Sequence, residues 1–152
     1  MKVKIKRFDK SLPLPSYQTN GAAGFDFYLR NNEEIQPGEV KLLETGVAIK
    51  VPRDCFLLIE GRGSTPKKFG LLVFPGVGDS DYWGEKDQYH VQVLNFTKEI
   101  IKLARGTRIA QGILVKIAQA EFEEVEGFIE EKGRKIDKDF RSRGGFGTTG
   151  HS

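Results

Sequence analysis

The sequence predicts an all-β barrel or sandwich. Three observations lead there. Strand-like runs recur along the whole 152-residue chain, several with alternating apolar and polar positions. Clusters of turn residues separate those runs. Clear helical periodicity is scarce, and glycine numbers 18.

The runs follow in order. "KVKIKRF" sets Lys2, Lys4 and Lys6 against Val3 and Ile5, a strand with one wet face. "FDFYLR" sets Phe25, Phe27 and Leu29 against Asp26, Tyr28 and Arg30, so Asp26 need not be buried. "VKLLETGVAIKVP", "CFLLIE", "GLLVF", "YHVQVLNF" and "RIAQGILVKIA" complete the set, with "NNEE", "QPGE", "VPRD" and "ARGT" as turns. One short helix is expected in "STPKKFG": Thr65 as N-cap, Pro66 at the first helical position and Gly70 as the stop. Lys67 and Lys68 fall on the wet side of that turn.

Length and composition narrow the function classes. A chain of this size is one domain with a real core. The net charge of +3 is spread rather than clustered, so no nucleic-acid partner is expected. Cys55 is the only cysteine, which excludes an internal disulfide and a cysteine zinc site, and its apolar run "CFLLIE" places it in the core. No apolar run of membrane length and no signal-peptide pattern occur. A soluble protein of the reducing cytoplasm is the expectation.

Four segments break the strand pattern with glycine and polar groups: "AAGFDFYL" (22–29), "GRGSTPKKFG" (61–70), "GVGDSDYWGE" (76–85) and "RSRGGFGTTG" (141–150). A fifth, "RIAQG" (108–112), puts Arg108 and Gln111 into an apolar strand. Glycine-flanked hydroxyls with open backbone N–H groups suit phosphate oxygens. Arg62 and Arg141 can fork onto phosphates. "DSDY" offers two carboxylates, one of them a possible base for water. Phe146, inside a glycine segment, can close over a flat ring. Taken alone, "DSDY" is a turn pattern, "GRGST" a loop and "GGFGTTG" a tail. Together they suit a phosphorylated ligand with an aromatic base.

In this order, the five segments resemble the five motifs of the homotrimeric dUTPases, over nearly the entire chain. The resemblance implies a distorted β jelly-roll over residues 1–140 and a mobile arm over 141–152 that closes over the active site. It implies hydrolysis of dUTP to dUMP and pyrophosphate with Mg2+, in a homotrimer whose active sites are shared between chains. Asp79 matches the carboxylate that activates the attacking water. Tyr82 matches the ring that packs on deoxyribose and excludes a ribose hydroxyl. Uracil is read by backbone groups of the hairpin from Val73 to Asp79, including Gly76, Val77 and Gly78. Arg62, Gly63 and Ser64 take the phosphate-contacting places, and Gln111 bonds phosphate or the nearby water. Asp26 matches the aspartate that holds the water shell of the magnesium. Arg141 reaches the γ-phosphate, Phe146 stacks on uracil, and Gly147, Thr148 and Thr149 line the phosphates. Arg108 makes a structural salt bridge.

Departures from the family pattern are specific. Gly63 stands where a serine is usual, and Ser142 where a glycine is usual. Gly78 replaces a branched aliphatic residue, which would loosen the hairpin. "GEKDQYHVQVLN" is longer than the family spacing and would reach over the base pocket or a neighbour. Two rivals share the fold. A dCTP deaminase, alone or bifunctional, needs a glutamate acid/base, and Glu85 lies too close behind "DSDY" for that. A non-catalytic dUTP-binding regulator would not need Asp79 and the complete arm motif.

Overall fold

The computed structural model describes residues 1–124, so the expected arm, with Arg141, Phe146, Gly147, Thr148 and Thr149, lies outside the described residues. Alternation builds the first strand, β1 (Lys4–Arg7), with Lys4 and Lys6 exposed and Ile5 turned inward. It pairs antiparallel with β5 (Val47–Lys50), placing Ile5 opposite Ile49. The two-residue β2 (Phe25–Asp26) is followed by β3 (Glu33–Ile35) and β4 (Val40–Glu44). Next come β6 (Cys55–Gly61), β7 (Leu71–Val73), β8 (Gly76–Gly78), β9 (His90–Asn95), β10 (Ile101–Leu103) and β11 (Ala110–Lys116).

The strands form a four-stranded sheet in the order β2–β11–β6–β8 and a three-stranded sheet β4–β9–β7, with β1–β5 and β10–β3 as two-stranded pairs. All pairings are antiparallel, and non-sequential neighbours mark jelly-roll-type crossovers. Inward residues of both sheets, Leu43, Leu57, Leu71, Val91 and Val93, make the core with Phe27, Leu29 and Ile109 from the flanking segments, all essentially closed to water. Cys55 is buried among them, and burial pushes its thiol up.

The helix α1 (Thr65–Phe69) forms where expected and stops at Gly70, whose φ of 65° is left-handed and whose N–H donates to the Pro66 carbonyl. Its start differs by one residue. Ser64, not Thr65, is the cap, and its hydroxyl makes no capping bond. Thr65 is fully buried and donates its hydroxyl to the Ile109 carbonyl at 2.7 Å. That tertiary partner wins over the local cap because the buried hydroxyl must be satisfied.

Residues Met1–Ala118 make one unit. The described part of the remainder, 119–124, carries no helix or strand. No helix among the described residues is long and apolar enough to cross a membrane.

Candidate active site

The strand β11 brings the first cluster together. Gln111 stands opposite Asp26 on one side and Glu60 on the other. At the end of β6 the chain leaves the sheet as Gly61–Arg62. The Arg62 N–H bonds the Ile109 carbonyl at 3.1 Å, so that oxygen ties down both Arg62 and Thr65. The "GRGST" loop is thereby pinned to the end of the sheet.

Asp26 is the hub of this cluster. The sequence leaves it free to face water; instead it is only 4% exposed. One carboxylate oxygen accepts from Arg62 Nε at 2.9 Å and the other from Arg108 Nη1 at 3.0 Å. Two guanidinium groups offset the desolvation of one carboxylate, which is why it can sit where alternation alone would not put it. Arg108 thus makes its salt bridge, and Asp26 orients Arg62. The Arg62 side chain keeps about a third of its surface open, at 31%.

Gln111 is half-buried and donates to the Gly61 carbonyl at 3.3 Å. Its amide lies against Gly24: a Cβ there would stand 2.7 Å from Gln111 Oε1. The glycine of "AAGFD" therefore makes room for the glutamine of "RIAQG". Gly63 and Ser64 are exposed, and a Cβ on Gly63 meets nothing within 4 Å. Among the described residues the N–H groups of Gly63 and Ser64 have no hydrogen-bond acceptor. Lys67 and Lys68 are exposed, as their place on the turn predicts.

The second cluster lies on the "DSDY" loop. Asp79 is exposed, and its carboxylate has no hydrogen-bond partner among the described residues. The Tyr82 N–H bonds the Asp79 carbonyl at 3.2 Å, closing a turn between them. The Tyr82 ring is 40% exposed and meets Tyr89 edge-on at 5.5 Å. Trp83 beside it carries Lys50 over its face at 3.7 Å.

The two clusters are far apart in one chain. Gly78 stands opposite Leu57, while Gly61 lies at the other end of β6. At about 3.3 Å per residue, the Asp79 backbone is roughly 20 Å from that of Arg62. Asp79 and Arg62 therefore stand at opposite ends of β6 in one chain.

The stretch Val73–Asp79 is not a hairpin. Its first strand, β7, pairs with β9, and its second, β8, pairs with β6, so it crosses between sheets at Phe74–Pro75. Proline lacks the N–H a ladder needs, which suits this corner. Val73 packs against Gly61, Gly76 stands opposite Ile59, and Val77 is 66% exposed. Gly78, where a loosened backbone is expected, is buried, and the Tyr89 ring fills the space above it. The long "GEKDQYH" loop bends back onto its own chain, where Lys6 bonds the Glu85 carbonyl at 2.9 Å and pairs with its carboxylate.

Among the described residues, no group of three or more His, Cys, Asp or Glu side chains is placed to hold a metal ion. A cation here would be held mainly by its own ligand and waters. Asp26 retains lone pairs for such waters after bonding both arginines.

Comparison with known proteins agrees with the motif order. A dUTPase family model matches residues 10–150. The deoxyuridine 5'-triphosphate nucleotidohydrolase of Thermoanaerobacter sp. (strain X514) is 42% identical over 97% of each chain. That of Acinetobacter baumannii (strain ATCC 17978) is 41% identical over 99% of each. A mutant dUTPase of Staphylococcus bacteriophage 80alpha with dUpNHpp superposes with a TM-score of 0.80, 21% identity and 99% coverage of both chains. A dUTPase mutant from phage phi11 of S. aureus, described for its coordination of a structural Mg(II) ion, gives 0.77 at 20% identity, covering 86% of this chain and 100% of its own. The extent and identity of these matches, together with the motif residues, show that the chain belongs to the dUTPase family.

Proposed function

We propose that the chain converts dUTP and water into dUMP and pyrophosphate, at sites shared between the copies of a homotrimer. The observation that carries this reading is the division of the motif residues into two half-sites at opposite ends of β6. One half offers an exposed carboxylate beside a tyrosine ring. The other offers an arginine held by a buried aspartate, an uncapped serine hydroxyl, open N–H groups and a glutamine amide. Each half lacks what the other supplies, so a second copy completes the site.

The groups then act as follows. Arg62, the Ser64 hydroxyl, Gln111 and the backbone of Gly63 bind phosphate oxygens and fix the α-phosphorus. Asp79 from another copy accepts a proton from the water aligned opposite the leaving pyrophosphate. The Tyr82 ring closes on C2′ of the sugar and leaves no room for a ribose hydroxyl. Backbone groups of Val73, Gly76, Val77 and Gly78 take up the uracil edge. Arg141, Phe146, Gly147, Thr148 and Thr149 belong to the arm that covers the bound nucleotide. Mg2+ would be held by the triphosphate and by waters bonded to Asp26, and would neutralise phosphate charge.

An apolar row suits coverage by another copy. Val40 and Leu72 flank Leu94 across the β4–β9–β7 sheet and are 51% and 46% exposed. A buried lone cysteine suits the cytoplasm. Pyrophosphate release measured with dUTP, dCTP, dTTP and UTP tests the reading. Only dUTP should turn over, with no ammonia from dCTP, and Asp79→Asn should bind dUTP without cleaving it. Equal turnover of all four nucleotides, or unchanged turnover by Asp79→Asn, would overturn it.

A further inference from the structure

The residue directly before the general base is Gly78, which has no side chain of its own. The space is not empty. A Cβ on Gly78 would stand 2.5 Å from Tyr89 Cε1 and 2.7 Å from the Tyr89 hydroxyl oxygen. A side chain at 78 and this ring cannot coexist.

Tyr89 is anchored from behind. It is 3% exposed, and its N–H donates to the Val47 carbonyl at 2.8 Å. Its own carbonyl accepts from the Thr45 N–H at 3.1 Å and from the Thr45 hydroxyl at 2.7 Å. The ring meets Phe27 at 6.5 Å on the core side and Tyr82 at 5.5 Å on the loop side. Its hydroxyl lies 3.5 Å from the Tyr82 carbonyl, and the Tyr82 hydroxyl lies 3.3 Å from the carbonyl of Gln88, the preceding residue. The "DSDY" loop is thus tied to this one residue at both ends.

We infer that Tyr89 is a positioning residue of the carboxylate half-site. Its ring fills the space above Gly78, fixes the backbone that carries Asp79, and supports the Tyr82 ring against the sugar. It touches neither substrate nor water and acts only through those two residues. This inference rests on the dUTPase reading proposed above. Burial, with the neighbouring Tyr82, Asp79 and Asp87 charges, pushes the Tyr89 phenol up to about 12, so the hydroxyl keeps its proton at any working pH.

The full-length chain and three variants test the inference: Tyr89→Phe, Tyr89→Leu and Gly78→Ile/Tyr89→Leu. Tyr89→Phe keeps the ring and should retain near wild-type kcat and sugar selectivity. Tyr89→Leu should lower kcat for dUTP about tenfold or more, because small misplacements of a base are costly. It should also erode the preference for dUTP over UTP by a similar factor, while KM moves little. A residue that only stabilised the fold would lower melting temperature without moving that preference. The double variant refills position 78 and should regain most of the lost kcat. If Tyr89→Leu does not fold, the double variant decides alone: recovered kcat and selectivity support the inference, and no recovery overturns it. Normal wild-type turnover with Tyr89→Leu unchanged in kcat and selectivity sinks this inference only. No dUTP hydrolysis by wild type sinks the dUTPase reading, and this inference with it.

Discussion

Replacing Asp26 with asparagine removes one charge and should disturb two arginines. The Asp26 side chain is 6% exposed, and its partners Arg62 and Arg108 are 31% and 35% exposed. Breaking a fully buried ion pair by removing one partner costs about 3–5 kcal/mol. Here water can reach both guanidinium groups and screen part of the loss, and asparagine keeps one acceptor. That leaves a cost of about 2 kcal/mol. For a chain of this size it corresponds to a fall of about 4–8 °C in Tm. A second effect is independent of stability: Arg62 and Arg108 must share the one acceptor asparagine keeps, so Arg62 no longer presents its remaining N–H groups in one fixed direction. Phosphate binding should weaken, with KM for dUTP rising roughly tenfold. Thermal melts of wild type and variant at equal protein concentration read the first effect, and steady-state pyrophosphate release reads the second. An Asp26→Asn protein with unchanged Tm and unchanged KM would refute the view that Asp26 organises the phosphate half-site.

Gly63→Ser should fold normally, because the added Cβ meets nothing within 4 Å. Its hydroxyl adds a phosphate bond worth about 1 kcal/mol, and KM for dUTP should fall severalfold; an unchanged or higher KM in a steady-state assay contradicts this. Gly24→Ala should act on turnover more than on stability, because its Cβ displaces the movable end of Gln111 at 2.7 Å, while Ile113 Cγ1 at 3.1 Å need shift only slightly. We expect Tm nearly unchanged and kcat/KM lower by roughly tenfold; a large Tm loss with normal kcat/KM would show that Gln111 is not the group displaced. The raised Tyr89 phenol makes stability depend on alkaline pH. A folded value near 12 against about 10 unfolded means the contribution is complete below pH 10 and is lost as pH rises towards 12. Urea midpoints at pH 9 and pH 11.5 should therefore fall further in wild type than in Tyr89→Phe; equal falls contradict it.

Much of the fold is legible because its cause is local. Alternation in "KVKIKRF" marks a strand whose faces β1 then uses, and the glycine after "TPKKF" stops α1 by left-handed geometry at that residue. The failures share a different cause: partners distant in sequence. Alternation exposes Asp26, but Arg62 and Arg108 arrive from β6 and from the start of β11 and make burial tolerable. Thr65 reads as a cap until the Ile109 carbonyl claims its hydroxyl. Gly78 reads as a loose joint until Tyr89, across the "DSDY" loop, fills the gap. The separation of Asp79 from Arg62 is invisible in motif order, because it depends on the antiparallel register of β8 on β6.

Mixed assemblies of two inactive variants bear most directly on the central claim. Asp79→Asn lacks the base, and Arg62→Ala lacks the phosphate contact. Unfolded together in equal amounts and refolded, they should recover about a quarter of wild-type dUTP hydrolysis, since each shared site draws the two groups independently from different copies. Activity no higher than the parents' residual rates would mean that base and arginine serve from one chain, and the proposed division of the site between copies would be wrong.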